Sequence, residues 1–457
     1  MSSTRNIQIF HDTIVRLLHR GAAKNIEKIL EKAHAADLAQ VIRLLDDLKD
    51  KQAVFGLIAV VGKKAEVLQV LEPKEAISLL ENLEEDKIIE IFQQMPSDRV
   101  TDIMGYLPEE ISQALLKRME PKGSEVIEEL MRYPEDTAGG IMTTEFCALE
   151  EETTVEQAIR RLQTEMDLDH IFYVYVVNEV GQLAGVLSLR KLLQVKPETK
   201  IKEMMITDVI SVRADTDQEE VAKVVARYNL LALPVVDENN KLIGIVTVDD
   251  VVDVIRDEAT EDILKMGGVG EAQVLEPSIF KSARIRLPWL FISLLGGIIA
   301  FKVVNSFQLT LEKSIILVCF IPLIVGMTGN VATQTATIVV RGLSTGKIRS
   351  KQIGWILWKE LKVGLLLGGL YGMIAGTFAS IQPGNSFGHL GLAIGGGLAI
   401  AMIVAAVLGS FLPMIFERFK IDPAFATGPF VTTIVDVIGI FIYFELASLI
   451  HGIHGVF

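Results

Sequence analysis

The chain has 457 residues, half of them apolar, with 44 basic and 58 acidic side chains, a length that suggests two to four domains. The charges are segregated. Before Leu287 stand 34 basic and 52 acidic residues, and after it ten and six, a net of −18 in front and +4 behind. So acidic a front half excludes nucleic acid as the expected partner and favours cations.

The N-terminal stretch MSSTRNIQIFHD lacks the apolar core and small-residue cleavage site of a signal peptide. With only two cysteines, Cys147 and Cys319, one in each half, no disulfide framework is expected. The front half is therefore expected to stay in the cytosol. Residues 1–133 read as a helical acidic N domain. VIRLLDDL (41–48), VLQVL (67–71) and AISLLENL (76–83) repeat apolar residues at helical spacing, and Pro73, Pro96 and Pro108 punctuate short helices. Its carboxylates include Glu84, Glu85, Asp86, Asp98 and Asp102.

Two units then repeat with a period near 60: MTTEFCALEEETTVEQAIRRL matches MMITDVISVRADTDQEEVAKVV, and YVVNEVGQLAGVLSLRKLL matches PVVDENNKLIGIVTVDDVV. Each reads strand, helix, strand, turn, strand, helix, with turns at Asn178–Gly181 and Asp237–Asn240. This resembles a tandem pair of CBS domains, at 134–200 and 201–256. The second unit carries Thr247 and Asp250 in the spacing such domains use for a nucleotide ribose. The first has Lys191 where the acid should stand, so at most one nucleotide site is expected, with ATP as its candidate ligand. Residues 257–286 read as a connecting helix. On it and just before it, Asp250, Asp253, Asp257 and Glu261 form a stripe beside Asp249, Glu258 and Asp262, offset only by Arg256. Such a stripe can be neutralised by divalent ions.

Residues 287–457 read as a transmembrane domain. Five apolar stretches, near 287–307, 314–340, 353–381, 389–416 and 424–450, reach the roughly 20 helical residues a bilayer needs. Arg341, Lys347, Arg349 and Lys351, and then Arg418 and Lys420, mark two basic loops, whereas QPGNSFGH has neither Lys nor Arg. By the positive-inside rule the basic loops and the N-terminal half face the cytosol and the C-terminus lies outside, as expected of a multi-pass plasma-membrane protein. GLLLGGLYGMIAG (364–376) and GLAIGGGLAI (391–400) place small residues at helix-packing spacing.

Ionisable groups at membrane depth are costly. Lys302 can snorkel, and Glu445 lies in the outer half of the last span. Asp436 sits deeper, with Thr432 and Thr433 one turn earlier and Gly439 one turn later. The second span carries Asn330, Thr333, Gln334 and Thr337 on one stripe, and Pro322, Gly326 and Gly329 are expected to loosen it and bare carbonyls. One carboxylate amid neutral oxygens suits a largely hydrated Mg²⁺, and no Cys, His or Met cluster accompanies it to favour zinc or copper. Chemistry alone does not separate Mg²⁺ from Mn²⁺ or Ca²⁺. No Ser/His pair or facing carboxylates mark the spans as an enzyme.

The whole chain resembles the MgtE family of Mg²⁺ channels, most specifically in YPEDTAGGIMTTEF (133–146), PLIVGMTGNVATQ (322–334), RGLSTGKI (341–348) and DPAFATGPFVTTIVDVIG (422–439). The resemblance implies a helical N-terminal array, a CBS (α/β) pair, a connecting helix and five transmembrane helices. It implies a homodimer with one pore on the two-fold axis, lined by spans two and five. Asp436 would be the selecting carboxylate, with Thr432, Thr433, Asn330 and Gln334 beside it. It also implies a gate closed by cytosolic Mg²⁺ bridging Asp98, Asp102, Asp217, Glu219, Asp250, Asp253, Glu258, Glu261, Asp262 and Asp422. Asn229 falls where another acid would be expected. The rival expectations are a CBS-regulated carrier for another divalent cation, and a membrane metal sensor without transport.

Overall fold

A computed structural model describes residues 2–165, 173–270, 278–348, 352–382 and 390–450. Arg349, Lys351, residues 383–389 and residues 271–277 of the expected connecting helix lie outside these residues. The chain divides after Ile255 into two compact units.

The first unit opens with ten short helices, α1 (Ser2–His19) to α10 (Pro121–Leu130). Prolines set their starts. Pro73 occupies the first turn of α6 (Pro73–Leu80), where its missing N–H costs nothing, and a Glu72–Glu75 capping box closes that end. Pro96 and Pro108 stand immediately before the next helices of their series. Helices pack on the next but one, as α4 (Leu48–Gly56) on α6, α6 on α8 (Ser97–Gly105), and α8 on α10. One continuous apolar core, from Ile7 through Phe55 and Phe92 to Ile127, runs the length of the array.

Two three-stranded sheets follow. β1 (Cys147–Glu150) pairs parallel with β2 (Tyr173–Val177), which pairs antiparallel with β3 (Leu183–Ser188). β4 (Val212–Arg213), β5 (Ala232–Val236) and β6 (Leu242–Thr247) repeat this order, with a register shift at the matching place, Val176/Val177 and Val235/Val236. The helices are α11 (Val155–Glu165) and α12 (Leu189–Leu192) in the first, α13 (Gln218–Tyr228) and α14 (Val248–Met266) in the second. Each unit also lends its leading segment to the other: Thr143 bridges Ile245 on β6, and Ile206 bridges Val186 on β3. Met142 covers Gly244 and Met205 covers Gly185, each sulfur so close that a Cβ would not fit. This is the pseudo-symmetric CBS pair expected from the repeat. The helix expected to begin at 257 begins instead at Val248, inside the second repeat, and ends at Met266.

Among its described residues, the second unit holds five segments long and apolar enough to cross a membrane. They are α15 (Ile279–Ser306), α17 (Ile316–Cys319) with α18 (Ile321–Ser344), α19 (Ile353–Ile381), α20 (Leu390–Arg418), and α21 (Gly428–Ile450) with the turn before it; a short α16 (Gln308–Lys313) follows α15. Span one starts earlier than its apolar stretch, because Ser278 caps it and the stretch that includes Lys281, Ser282, Arg284 and Arg286 continues the helix. Span two breaks at Phe320, ahead of Pro322; Gly326 and Gly329 remain in continuous helix, so the expected loosening is confined to that break.

α20 is the most enclosed span and α15 the most exposed. Glycines decide this. Gly368, Gly372 and Gly376 on α19 would each place a Cβ within 2.5–2.6 Å of a backbone oxygen of α20, those of Ala399, Gly395 and Gly391. Gly409 of α20 lies as close to the Ala332 carbonyl of α18. Bare backbones let helices touch where lipid offers no hydrophobic drive. Gly372→Leu should therefore destabilise the membrane unit by about 1–3 kcal/mol through overpacking. Gly369→Leu, which meets open space, should not. Thermal unfolding in detergent micelles compares the two.

Candidate functional site

Asp436 lies on α21 with Oδ1 buried and no hydrogen-bond donor among the described residues. Gly329 of α18 faces it: a Cβ there would stand 3.6 Å from Asp436 Oδ1 and 3.9 Å from Thr432 Cγ2. A larger residue at 329 would narrow the approach to the carboxylate. Thr432 keeps its methyl toward this groove while its hydroxyl donates to Gly428 O at 2.9 Å. Thr433 does not join them. It packs into the space left by Gly296 of α15. The two threonines are about 100° apart on a helix and face different neighbours. Asn330, Gln334 and Thr337 stand exposed on α18, and Thr333 is half-buried. Exposed amides on an otherwise apolar span call for water or a second polar surface. Lys302 is exposed, and Glu445 is half-buried with Oε2 without a hydrogen-bond partner among the described residues.

A carboxylate the sequence reading passed over is Glu360, 4 % exposed on α19, which accepts from Thr335 Oγ1 of α18 at 3.4 Å. Its signal was an acid inside a span, hidden by Lys359 and Lys362 on either side. Tyr443 was also missed; its hydroxyl donates to Leu317 O at 3.0 Å and ties α21 to α17.

In the first unit, α8 meets the start of α14. Asp98 and Asp102 from α8 converge with Asp250 and Asp253, and Arg99 stands between them. Its guanidinium nitrogens lie 3.9 Å from Asp98, 3.8 Å from Asp102, 3.1 Å from Asp250 and 3.4 Å from Asp253. Asp98 is 7 % exposed, and its Oδ1 is buried without a donor. Burial, reinforced by Asp250, pushes the Asp98 carboxyl up to about 7 despite Arg99. Burial likewise raises Asp102 to about 6, against the pull of Arg99. Asp250 is raised by burial too, although Thr247 Oγ1 donates to its Oδ2 at 2.6 Å. The Thr247–Asp250 pair expected for a ribose is thus formed. In the first repeat Lys191 is engaged locally, donating to Met204 O at 2.5 Å.

In the second unit, Lys265 joins two more of the expected acids, donating to Asp422 Oδ2 and pairing with Glu261 Oε1, each at 2.6 Å. Burial works against its charge, but these carboxylates outweigh it and hold the amine up at about 12. Asp262, nearby, is raised by burial and then by Asp422. Asp422 also caps the turn before α21, accepting from Ala424 N at 2.8 Å. Glu258 is half-buried on the same helix as Glu261.

Asp217 and Glu219 belong to neither cluster. Asp217 caps α13 by accepting from Glu219 N at 2.8 Å, and Glu219 pairs with Lys223 one turn on. Asn229 ends α13 at φ 51°, a left-handed position that asparagine tolerates. Among the described residues, no three His, Cys, Asp or Glu side chains converge as a metal cage would require.

The helical array, the CBS pair and five apolar helices with carboxylates at depth define a multi-pass membrane protein that carries a CBS module. The divalent cation transporter model of the MgtE family matches residues 321–446, the MgtE intracellular N domain matches 33–136, and CBS domains match 138–198 and 201–257. The magnesium transporter MgtE of Thermus thermophilus is 38% identical over 95% of this chain and 96% of its own length. That of Bacillus subtilis is 38% identical over 74% and 75%. A crystal structure of the cytosolic domain of the Mg²⁺ channel MgtE in complex with ATP matches 53% of this chain and 99% of its own, at 38% identity and a TM-score of 0.50. The chain belongs to the MgtE family of divalent cation transporters.

The raised carboxyls fix a pH dependence. Folded Asp98 and Asp102 retain protons that the unfolded chain releases near the ordinary carboxylate value, so their burial costs most stability above about 7. Stability of the first unit should rise as pH falls through about 7 and about 6. Thermal unfolding of the full chain in divalent-free buffer measures this, and Asp98→Asn should flatten the slope.

Proposed function

We propose that this chain takes up Mg²⁺ through a selective channel formed by two copies, and that Mg²⁺ on its own carboxylates closes it. Asp436 carries this reading: a carboxylate at membrane depth, with one oxygen left without a donor, set against a glycine of the neighbouring span. Mg²⁺ dehydrates reluctantly and accepts one or two carboxylates while keeping several waters. Two copies related by a two-fold axis would bring two such carboxylates together. They would also enclose the exposed Asn330, Gln334 and Thr337 of α18, whose amides and hydroxyls can bond the ion's water shell. Thr433, turned toward α15, takes no part.

Regulation rests on the two acid clusters. Asp98, Asp102, Asp250 and Asp253 on one side, and Glu261, Asp262 and Asp422 on the other, with Glu258 beside them, repel when ionised and attract when a divalent ion joins them. At the first cluster Asp98 offers such an ion a buried oxygen without a partner among the described residues, although no three carboxylates there stand as a closed cage. Asp217 and Glu219 would contribute only by giving up their present local bonds. Converting a mostly open population into a mostly closed one takes about 5.5 kcal/mol of differential binding, within reach of several weak sites together. In this reading the first unit lies in the cytosol. ATP would bind at Thr247 and Asp250, and because Asp250 also belongs to the acid cluster, nucleotide and Mg²⁺ would be coupled.

Reconstituted in liposomes with a Mg²⁺-sensitive dye, the wild type should admit Mg²⁺ when the regulatory side is low in Mg²⁺. Asp436→Ala, still folded and dimeric, should lose at least about tenfold in flux. Equal flux from both would remove Asp436 from the pore. No flux from the wild type would leave a metal sensor as the better reading.

A further inference from the structure

The first turns of α19 carry two unlike faces. Ile356, Glu360 and Gly364 are buried among the neighbouring spans. On the other side Trp355, Trp358, Lys359 and Lys362 recur at i, i+3, i+4 and i+7, one stripe about 10 Å long. All four are exposed, Trp355 at 67% and Trp358 at 58%. Beyond Lys362 the same outer surface continues in Leu365, Leu366 and Leu370, with apolar side chains alone. The indoles and leucines suit lipid, but the two cations call for an anion. Glu360 is the one acid in the sequence of α19, and it faces inward, accepting from Thr335 Oγ1 of α18 at 3.4 Å. Lys359 Nζ reaches Glu360 Oε1 at 3.4 Å from the outside. Lys362 pairs with no carboxylate among the described residues; its amine lies over the Trp358 ring, 5.2 Å from the centroid. We propose that this stripe is a binding site for an anionic phospholipid, with Lys359 and Lys362 on the headgroup phosphate and the two indoles against the glycerol and upper acyl chains.

Each part of the stripe has a physical role in this. A lysine ammonium binds phosphate as a point charge, and its aliphatic stem can lie along apolar surface while the amine stays at the headgroup level. Indole rings settle at the boundary between water and hydrocarbon. The amine of Lys362, held over an indole, is already oriented toward that boundary. A soluble anion would gain the lysines only, whereas a phospholipid also covers the exposed rings and the leucines beyond them. A zwitterionic lipid brings its own ammonium to compete with the lysines, and an anionic one does not. The charges of the stripe therefore select the headgroup, and its apolar surface selects a lipid over free phosphate.

The inference needs the helices to span a bilayer and is independent of the pore and its regulation. The chain has three tryptophans, and Trp289→Phe leaves the two of the stripe as reporters. Bromine on an acyl chain quenches an indole that it touches. The full-length Trp289→Phe chain is reconstituted in equimolar phosphatidylcholine and phosphatidylglycerol with matched acyl chains, the bromine carried first by one lipid and then by the other. Quenching should show a preference for phosphatidylglycerol of at least about fivefold. Adding Lys359→Gln and Lys362→Gln should bring the preference to about one. Arg418→Gln with Lys420→Gln, which removes the same charge from other exposed positions, should leave it unchanged. Equal quenching in the parent, a preference that survives loss of both lysines, or one that the second pair abolishes overturns the proposal. Quenching by neither lipid also overturns it, since protein such as a second copy would then cover the stripe. So does a preference erased by inorganic phosphate and not by chloride at the same ionic strength, which would assign the lysines to a free anion. If the double lysine variant fails to insert, Lys362→Gln alone decides. It must lower the preference at least about twofold, and an unchanged preference refutes the site.

Discussion

Burying a carboxylate requires something to answer its charge, whether a cation, a proton or a set of hydrogen-bond donors. Four places in this chain answer that requirement differently. Arg99 answers for four aspartates and leaves one oxygen of Asp98 over. Lys265 answers for Glu261 and Asp422. Thr335 offers Glu360 a hydrogen bond within the membrane unit. Asp436 has no such answer among the described residues, which leaves it open to the cation proposed for it.

The rest of the fold can be understood as support for these groups. Short helices started by prolines stack next but one, which brings α8 and its aspartates to the edge of the second CBS repeat. The CBS pair exchanges its leading segments, so that the Thr247–Asp250 end of β6 is held by backbone pairing with Thr143. In the membrane unit, glycine faces allow α20 to approach α18 and α19 at backbone contact. α21 is then seated against α18 with Gly329 facing Asp436. A small residue at 329 is what gives the carboxylate an approach.

Much of this was legible in the sequence. The period of the CBS repeat, the five apolar spans, the segregation of charge and Asp436 could all be read from spacing and hydropathy. The carboxylates at 98, 102, 250 and 253 were singled out as acids, and the structure brings them together. Their partner Arg99 was not, because a lone arginine among aspartates on one short helix reads as a solvated surface charge. Lys265 escaped for the same reason, and Glu360 was masked by flanking lysines. Thr433 was assigned to the face of Asp436 from its spacing, yet spacing leaves two neighbouring faces open, and the approach of Gly296 took it for α15.

By itself, the sequence determined which segments are helix, strand or membrane span, because periodicity and apolar run length are local properties of the chain. It also determined that acids accumulate before the spans and that carboxylates such as Asp436 enter them. Only the tertiary structure decided which charges neutralise one another, since an ion pair such as Arg99 with Asp250 joins residues about 150 positions apart. It alone placed Gly329 opposite Asp436 and Asp217 at a helix cap rather than in a cluster. Electrostatic roles depend on distance in space and on burial, and neither is written in the spacing of residues along the chain.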